Sequence, residues 1–239
     1  MKQHTDKLFA PIDRDLSMQR IGGGNETEVY LTDDRRYVVK VKEDLGGSVA
    51  TALDQARDLR VAAVGFADCL GPYSLPSYYL IAGDSQAHAQ VLVIQPFAGP
   101  AKALFDLEYD SLSPSERATL ATQLHDIIRR SLHLYRTTGS MPDLYGRSSQ
   151  SSAERSRMRS LWMLPQRLWS FLVQRNLLRS HNLLVTTIGQ PQIVLVDYDP
   201  VRRSALYRKI YYLVRWLLFF RDHALILVMR RGGNVPKAA

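Results

Sequence analysis

Tyr37-Val38-Val39-Lys40-Val41-Lys42 alternates along the chain and predicts a strand. Val38, Lys40 and Lys42 fall on one face, and Tyr37, Val39 and Val41 on the other. Upstream, Ile21 to Leu31 is a glycine-rich turn between β-type residues. From Ser48 to Val64 the period becomes helical, with Val49, Ala52, Leu53, Ala56, Leu59 and Ala63 on one stripe. Tyr78 to Ala82 and Val91 to Phe97 read as two strands around a polar loop at 83–90. Pro96, Gly99 and Pro100 then punctuate the chain like a linker. Ser113-Pro114-Ser115-Glu116 is a capping box with proline at the first helical position. It predicts a helix to about Arg136, closed by Gly139. Ser180 to Val185 and Gln192 to Asp199 read as an apolar hairpin with polar ends. Leu206 to Met229 is apolar and aromatic but carries charges, and predicts two helices with a break near Arg221-Asp222. None of its uncharged runs approaches the roughly 20 residues that span a bilayer.

Composition narrows the class. An apolar fraction of 46% over 239 residues supports a packed core. The single cysteine, Cys69, excludes an intramolecular disulfide, and Cys and His nowhere take zinc-ligand spacing. Residues 1–7 lack the apolar core of a secretory leader, so the expectation is a cytoplasmic, reducing setting, with a peripheral position at the inner membrane face as the variant. The net charge of +8 is uneven: residues 145–239 carry 16 Lys+Arg against 4 Asp+Glu, which leaves −4 for residues 1–144. A basic back half suits an anionic membrane surface or an acidic protein. Nucleic acid shares the charge argument, but no recognition module is legible.

The chemistry concentrates in four places. Gly22-Gly23-Gly24 lets backbone N–H groups approach a phosphate. Lys40, in a strand just after that turn, can reach nucleotide phosphates, and Lys42 does the same if the register slips by two. Asp54 and Asp58, four apart on the following helix, are the acids available to pair with that lysine. Asn182 and Asp197 arrive at the same end of the hairpin as a hard-oxygen pair suited to Mg²⁺. His125 and His133, eight apart on one helix, read as structural.

The order of these features resembles the protein-kinase-like superfamily, including its atypical bacterial and small-molecule branches. Gly22, Gly24 and Val29 match the nucleotide-covering loop, with Thr27 where a third glycine is usual. Met141-Pro142-Asp143-Leu144 stands where the family has His-Arg-Asp-Leu, and Asp197-Tyr198-Asp199 where it has Asp-Phe-Gly. The family's asparagine follows its aspartate by five residues; Asn182 follows Asp143 by 39, so residues 145–179 read as an insertion, a basic amphipathic one bearing Trp162, Trp169 and several arginines.

The resemblance implies an α+β, two-lobed fold with a small antiparallel-sheet N-lobe at residues 1–97 and a mainly helical, shortened C-lobe at 98–239. It implies ATP and Mg²⁺ as cofactors. Gly22, Gly24, Val29 and Val38 would enclose the nucleotide, and Lys40 would hold its α- and β-phosphates. Gln95 to Phe97 would present backbone groups to the adenine, Asn182 and Asp197 would bind Mg²⁺, and Asp143 would orient or deprotonate the acceptor hydroxyl. The expected activity is phosphoryl transfer to a protein or a small hydroxylated molecule. The missing third glycine, His-Arg pair and helix glutamate support a second reading, a pseudokinase that binds nucleotide or serves as a scaffold.

Overall fold

The computed structural model describes residues 18–23, 27–83, 88–146, 176–187, 189–198 and 204–233, with positions 162 and 165. Five strands, β1 (Gln19–Gly23), β2 (Thr27–Leu31), β3 (Tyr37–Gly47), β4 (Tyr78–Gly83) and β5 (Ala89–Pro96), form an antiparallel sheet in the order β1-β2-β3-β5-β4. The alternation around Lys40 builds β3, and the turn before it is closed by Thr32, whose N–H donates to Tyr37 O at 3.0 Å. Between β3 and β4 lies helix α1 (Val49–Leu70), capped by Ser48 Oγ accepting from Thr51 N. Ala52, Ala56 and Leu59 of α1 pack on Leu45, Ala89 and Val91 of the sheet. The helix continues past Gly65, because Phe66 and Leu70 are buried, and it stops at Gly71 and Pro72.

The second lobe is mainly helical. Helix α2 (Pro114–Thr138) has the full capping box between Ser113 and Glu116 and ends on Gly139 with φ +71°. Leu120, Leu124, Ile127 and Ile128 share one face at helical spacing and are completely buried. Helix α3 (Ala205–Arg230) packs beside α2. It is one continuous helix, not two broken at Arg221-Asp222. Asp222 points inward and accepts from Tyr145 Oη at 2.5 Å, so the charged step costs the helix nothing in unsatisfied polarity. A three-stranded sheet, β6 (Ala101–Ala103), β7 (Leu183–Thr186) and β8 (Ile193–Leu195), completes the lobe. β6 lies just beyond the predicted linker and pairs antiparallel with β7. The architecture is thus α+β: a small antiparallel sheet with one helix, joined to a mainly helical lobe with a buried hairpin.

Most of the basic insertion, the C-terminal tail 234–239, Gly24 and Asp199 lie outside the described residues. At the insertion's edges, Tyr145, Leu177 and Leu178 belong to the main core, while Trp162 is 93% exposed.

Candidate active site

The β7–β8 hairpin is the base of the site. Leu183 pairs with Leu195 in the ladder, and beyond that pair Val196 N donates to Asn182 O at 2.9 Å. Asn182 and Asp197 therefore leave the hairpin at one end. Leu183, Ile193 and Leu195 have no exposed surface, so burial fixes the register.

Asp143 meets this hairpin across 39 residues of sequence. Asn182 Nδ2 donates to Asp143 O at 2.9 Å. Buried Ser180 adds a clamp: its Oγ donates to Leu144 O and accepts from Asn182 N at 3.0 Å and Leu183 N at 3.1 Å. His181 N donates to Tyr145 O at 3.2 Å. Gly146 has φ +51°, and a Cβ there would lie 2.1 Å from Asn182 Oδ1. A side chain at 146 would therefore push the asparagine from its place.

The lysines come from β3 above. Gly22 pairs with Val29, Val29 with Lys40, and Lys40 with Val93, so these residues form one row across the sheet. Val38 pairs with Gln95 one row away, on the same face. Both lysines are buried and reach the turn after β8: Lys40 Nζ donates to Val196 O, and Lys42 Nζ lies 3.8 Å from Asp197 Oδ1. Asp197 keeps 37% of its side chain exposed, against 3% for Lys42.

Two expectations change. Asp54 is exposed and pairs with Arg57 at 3.6 Å, and Asp58 is exposed too, so neither acid meets Lys40. The stripe that packs on the sheet turns them outward; the α1 side chain bonded to β3 is Gln55, whose Oε1 accepts from Gly46 N at 3.0 Å. Phe97 N is spent on Arg36 O at 2.8 Å because the β3–β5 ladder runs on past Pro96, which has no N–H. The 96–97 step therefore offers no backbone donor to a base. Gln95 instead contributes a side chain: it is 1% exposed, Nε2 donates to Ser77 Oγ at 2.7 Å, and Oε1 has no hydrogen-bond partner among the described residues. Finally, His125 faces a second imidazole, His223 on α3, with 2.6 Å between their Nδ1 atoms.

No protein-family model and no curated protein matches the chain. Among solved structures, the chain is similar to the GDP and kanamycin complex of APH(2")-IIia, with 14% identity, a TM-score of 0.42, and 90% of this chain and 81% of that one covered. It is also similar to the GDP complex of a point mutant of an aminoglycoside 2'-phosphotransferase-IIIa, with 12% identity, a TM-score of 0.46, and coverage of 94% and 82%.

Several residues of the site have no motif to reveal them. Arg215, on the inner face of α3, is 1% exposed; its guanidinium lies 4.0 Å from Asp143 Oδ1 and 3.8 Å above the Tyr145 ring. Its Nε donates to Tyr211 Oη at 3.1 Å. Tyr145 N donates to Asp143 Oδ1 at 3.1 Å, which sets the carboxylate's orientation. Burial pushes the Tyr145 phenol well above its usual range, and Asp222 acts in the same direction. Burial likewise raises Asp222, and Arg221, 2.8 Å away, only partly offsets it. Tyr198 fixes the other side: its hydroxyl donates to Leu195 O at 3.0 Å and accepts from Leu75 N, with its pKa pushed up to about 12 by burial. The only sequence signal for these groups was polar residues in otherwise apolar runs.

Proposed function

We propose that this chain is an ATP- and Mg²⁺-dependent phosphotransferase with a hydroxyl acceptor on a protein or a small molecule. The observation that carries the reading is the bond from Asn182 Nδ2 to Asp143 O, with Asp197 next to Val196, whose N–H donates to Asn182 O. That bond ties the amide nitrogen down and leaves Oδ1, which lies beside Gly146, as the atom Asn182 could offer a metal. With the Asp197 carboxylate it makes a hard-oxygen donor set of the kind Mg²⁺ takes alongside phosphate oxygens. Bound there, the metal would neutralise charge on the phosphates.

The chain's own groups do the rest. Lys40 faces the same turn and is the phosphate-holding cation; Lys42 holds Asp197 in position. The buried Gln95 Oε1 has no donor among the described residues, and the exocyclic amine of adenine would supply one. Asp143, oriented by Tyr145 N and faced by Arg215, would accept the proton of the attacking hydroxyl.

The pseudokinase reading draws support from the missing third glycine and His-Arg pair, from the outward placement of Asp54 and Asp58, and from the loss of the Phe97 N–H to the β3–β5 ladder. Calorimetric titration with ATP and with GTP, with and without Mg²⁺, on the native chain and on Asp197→Ala, tests the nucleotide site, and nucleotide hydrolysis by the native chain and by Asp143→Ala separates a phosphotransferase from a pseudokinase that only binds. Binding that requires both metal and Asp197 supports the phosphotransferase site. No binding at millimolar nucleotide would sink it and leave the scaffold.

A further inference from the structure

Helix α3 has two apolar faces, and the core uses only one. The inner face buries Tyr212, Leu218, Phe219, Ile226 and Met229. On the opposite face, Leu206, Ile210, Leu213, Leu217, Phe220 and Leu227 repeat at spacings built from four and three and are 44% to 70% exposed. The stripe runs about 30 Å along the helix. Continuous apolar surface of this length marks an interaction site. Phe219 is 1% exposed and belongs to the core, whereas its neighbour Phe220 lies outside.

Charge identifies the occupant. The one acid of the helix, Asp222, is buried, while Arg208, Lys209, Arg230 and Arg231 are exposed around the two ends of the stripe. A second copy of the helix would meet only like charges at these ends in either direction of pairing, with no acid to answer them. An anionic lipid surface laid on the stripe answers Lys209 at its edge directly, lies within reach of the long arginines at the two ends, and needs no complementary groove. Trp216 packs edge-on against Phe220 at 5.5 Å, adding an aromatic pair at the edge of this face. No described helix is long and apolar enough to cross a membrane, so the contact is a lateral one.

We infer that the outer face of α3 is a docking surface for an anionic lipid bilayer, with the helix lying along the headgroup boundary. Arg215 projects from the opposite side of the same helix toward Asp143, so docking would set that carboxylate about one helix diameter, roughly 10 Å, behind the lipid surface.

The test is flotation of the full chain with phosphatidylcholine vesicles and with vesicles containing phosphatidylglycerol. The expected result is co-flotation with the anionic vesicles, weakened by salt and largely lost in Leu213→Glu/Leu217→Glu. Lys209→Gln should weaken it about fivefold, the share of one cation near such a surface. Both variants alter exposed positions, and circular dichroism checks that each is folded. Anionic vesicles that fail to float the native chain, or that float the folded double variant equally well, overturn the proposal. So does a concentration-dependent dimer that Leu213→Glu/Leu217→Glu abolishes, because it assigns the stripe to a second copy.

Discussion

Gly146 is the position where one atom decides the site. Its φ is +51°, and Asn182 Oδ1 lies only 2.1 Å from where a Cβ would sit, so Gly146→Ala must either strain the backbone or displace the asparagine. The expected cost is about 1–3 kcal/mol of stability, together with loss of metal-dependent nucleotide binding. Thermal denaturation and calorimetry read the two effects. Asp143→Ala should behave differently. Its carbonyl still accepts from Asn182, so nucleotide binding should persist while turnover falls by roughly 10²- to 10⁴-fold, the usual worth of a general base. Nucleotide hydrolysis with water as acceptor is the assay that needs no knowledge of the natural acceptor. Equal loss of binding in Asp143→Ala would move this residue from chemistry to structure.

Among the elements, the α2–α3 contact carries a titratable pair. His125 and His223 stack at 4.8 Å, with 2.6 Å between Nδ1 atoms, so the His125 ring is held against a second imidazole. Burial holds the His125 pKa below 6.5, and His223 and Arg230 depress it further. The unfolded chain therefore binds more protons than the folded one just below pH 6.5. Stability from this group is present above that pH and is lost as pH falls toward the folded pKa. His125→Phe keeps an aromatic ring against His223 and removes this titration. Its melting temperature should fall less steeply than that of the native chain between about pH 7 and pH 5.

Across the two lobes, polar contacts join the sheet to the helical part at the site. Two of them, Lys40 to Val196 O and Lys42 to Asp197, connect β3 directly to the turn after β8. A nucleotide held by both lobes adds its binding energy to folding. Saturating Mg²⁺-ATP, near a hundred times its dissociation constant, should stabilise the native chain by about 2.7 kcal/mol. For a chain of this size that is a rise of roughly 5–10 °C in melting temperature. Asp197→Ala should show no metal-dependent part of that rise.

What is local and periodic was legible along the chain. Alternation around Lys40 specified β3 and the common face of its two lysines. The Ser113–Glu116 box and Gly139 specified both ends of α2, because capping is settled within one turn. The polar ends of an apolar hairpin marked Asn182 and Asp197. Whatever depends on partners distant in the chain came from folding alone. Asp54 and Asp58 were legible as an acid pair, but the packing of Ala52, Ala56 and Leu59 on the sheet turned them to solvent. Arg221-Asp222-His223 looked like a helix break until Tyr145 and His125 supplied partners for the two residues that face inward. Arg215 stood in an apolar run with no motif around it, and its place beside Asp143 follows from how α3 packs. Local hydrogen bonds and periodicity are written in neighbouring residues. The satisfaction of a buried charge is written in residues that only the folded chain brings together.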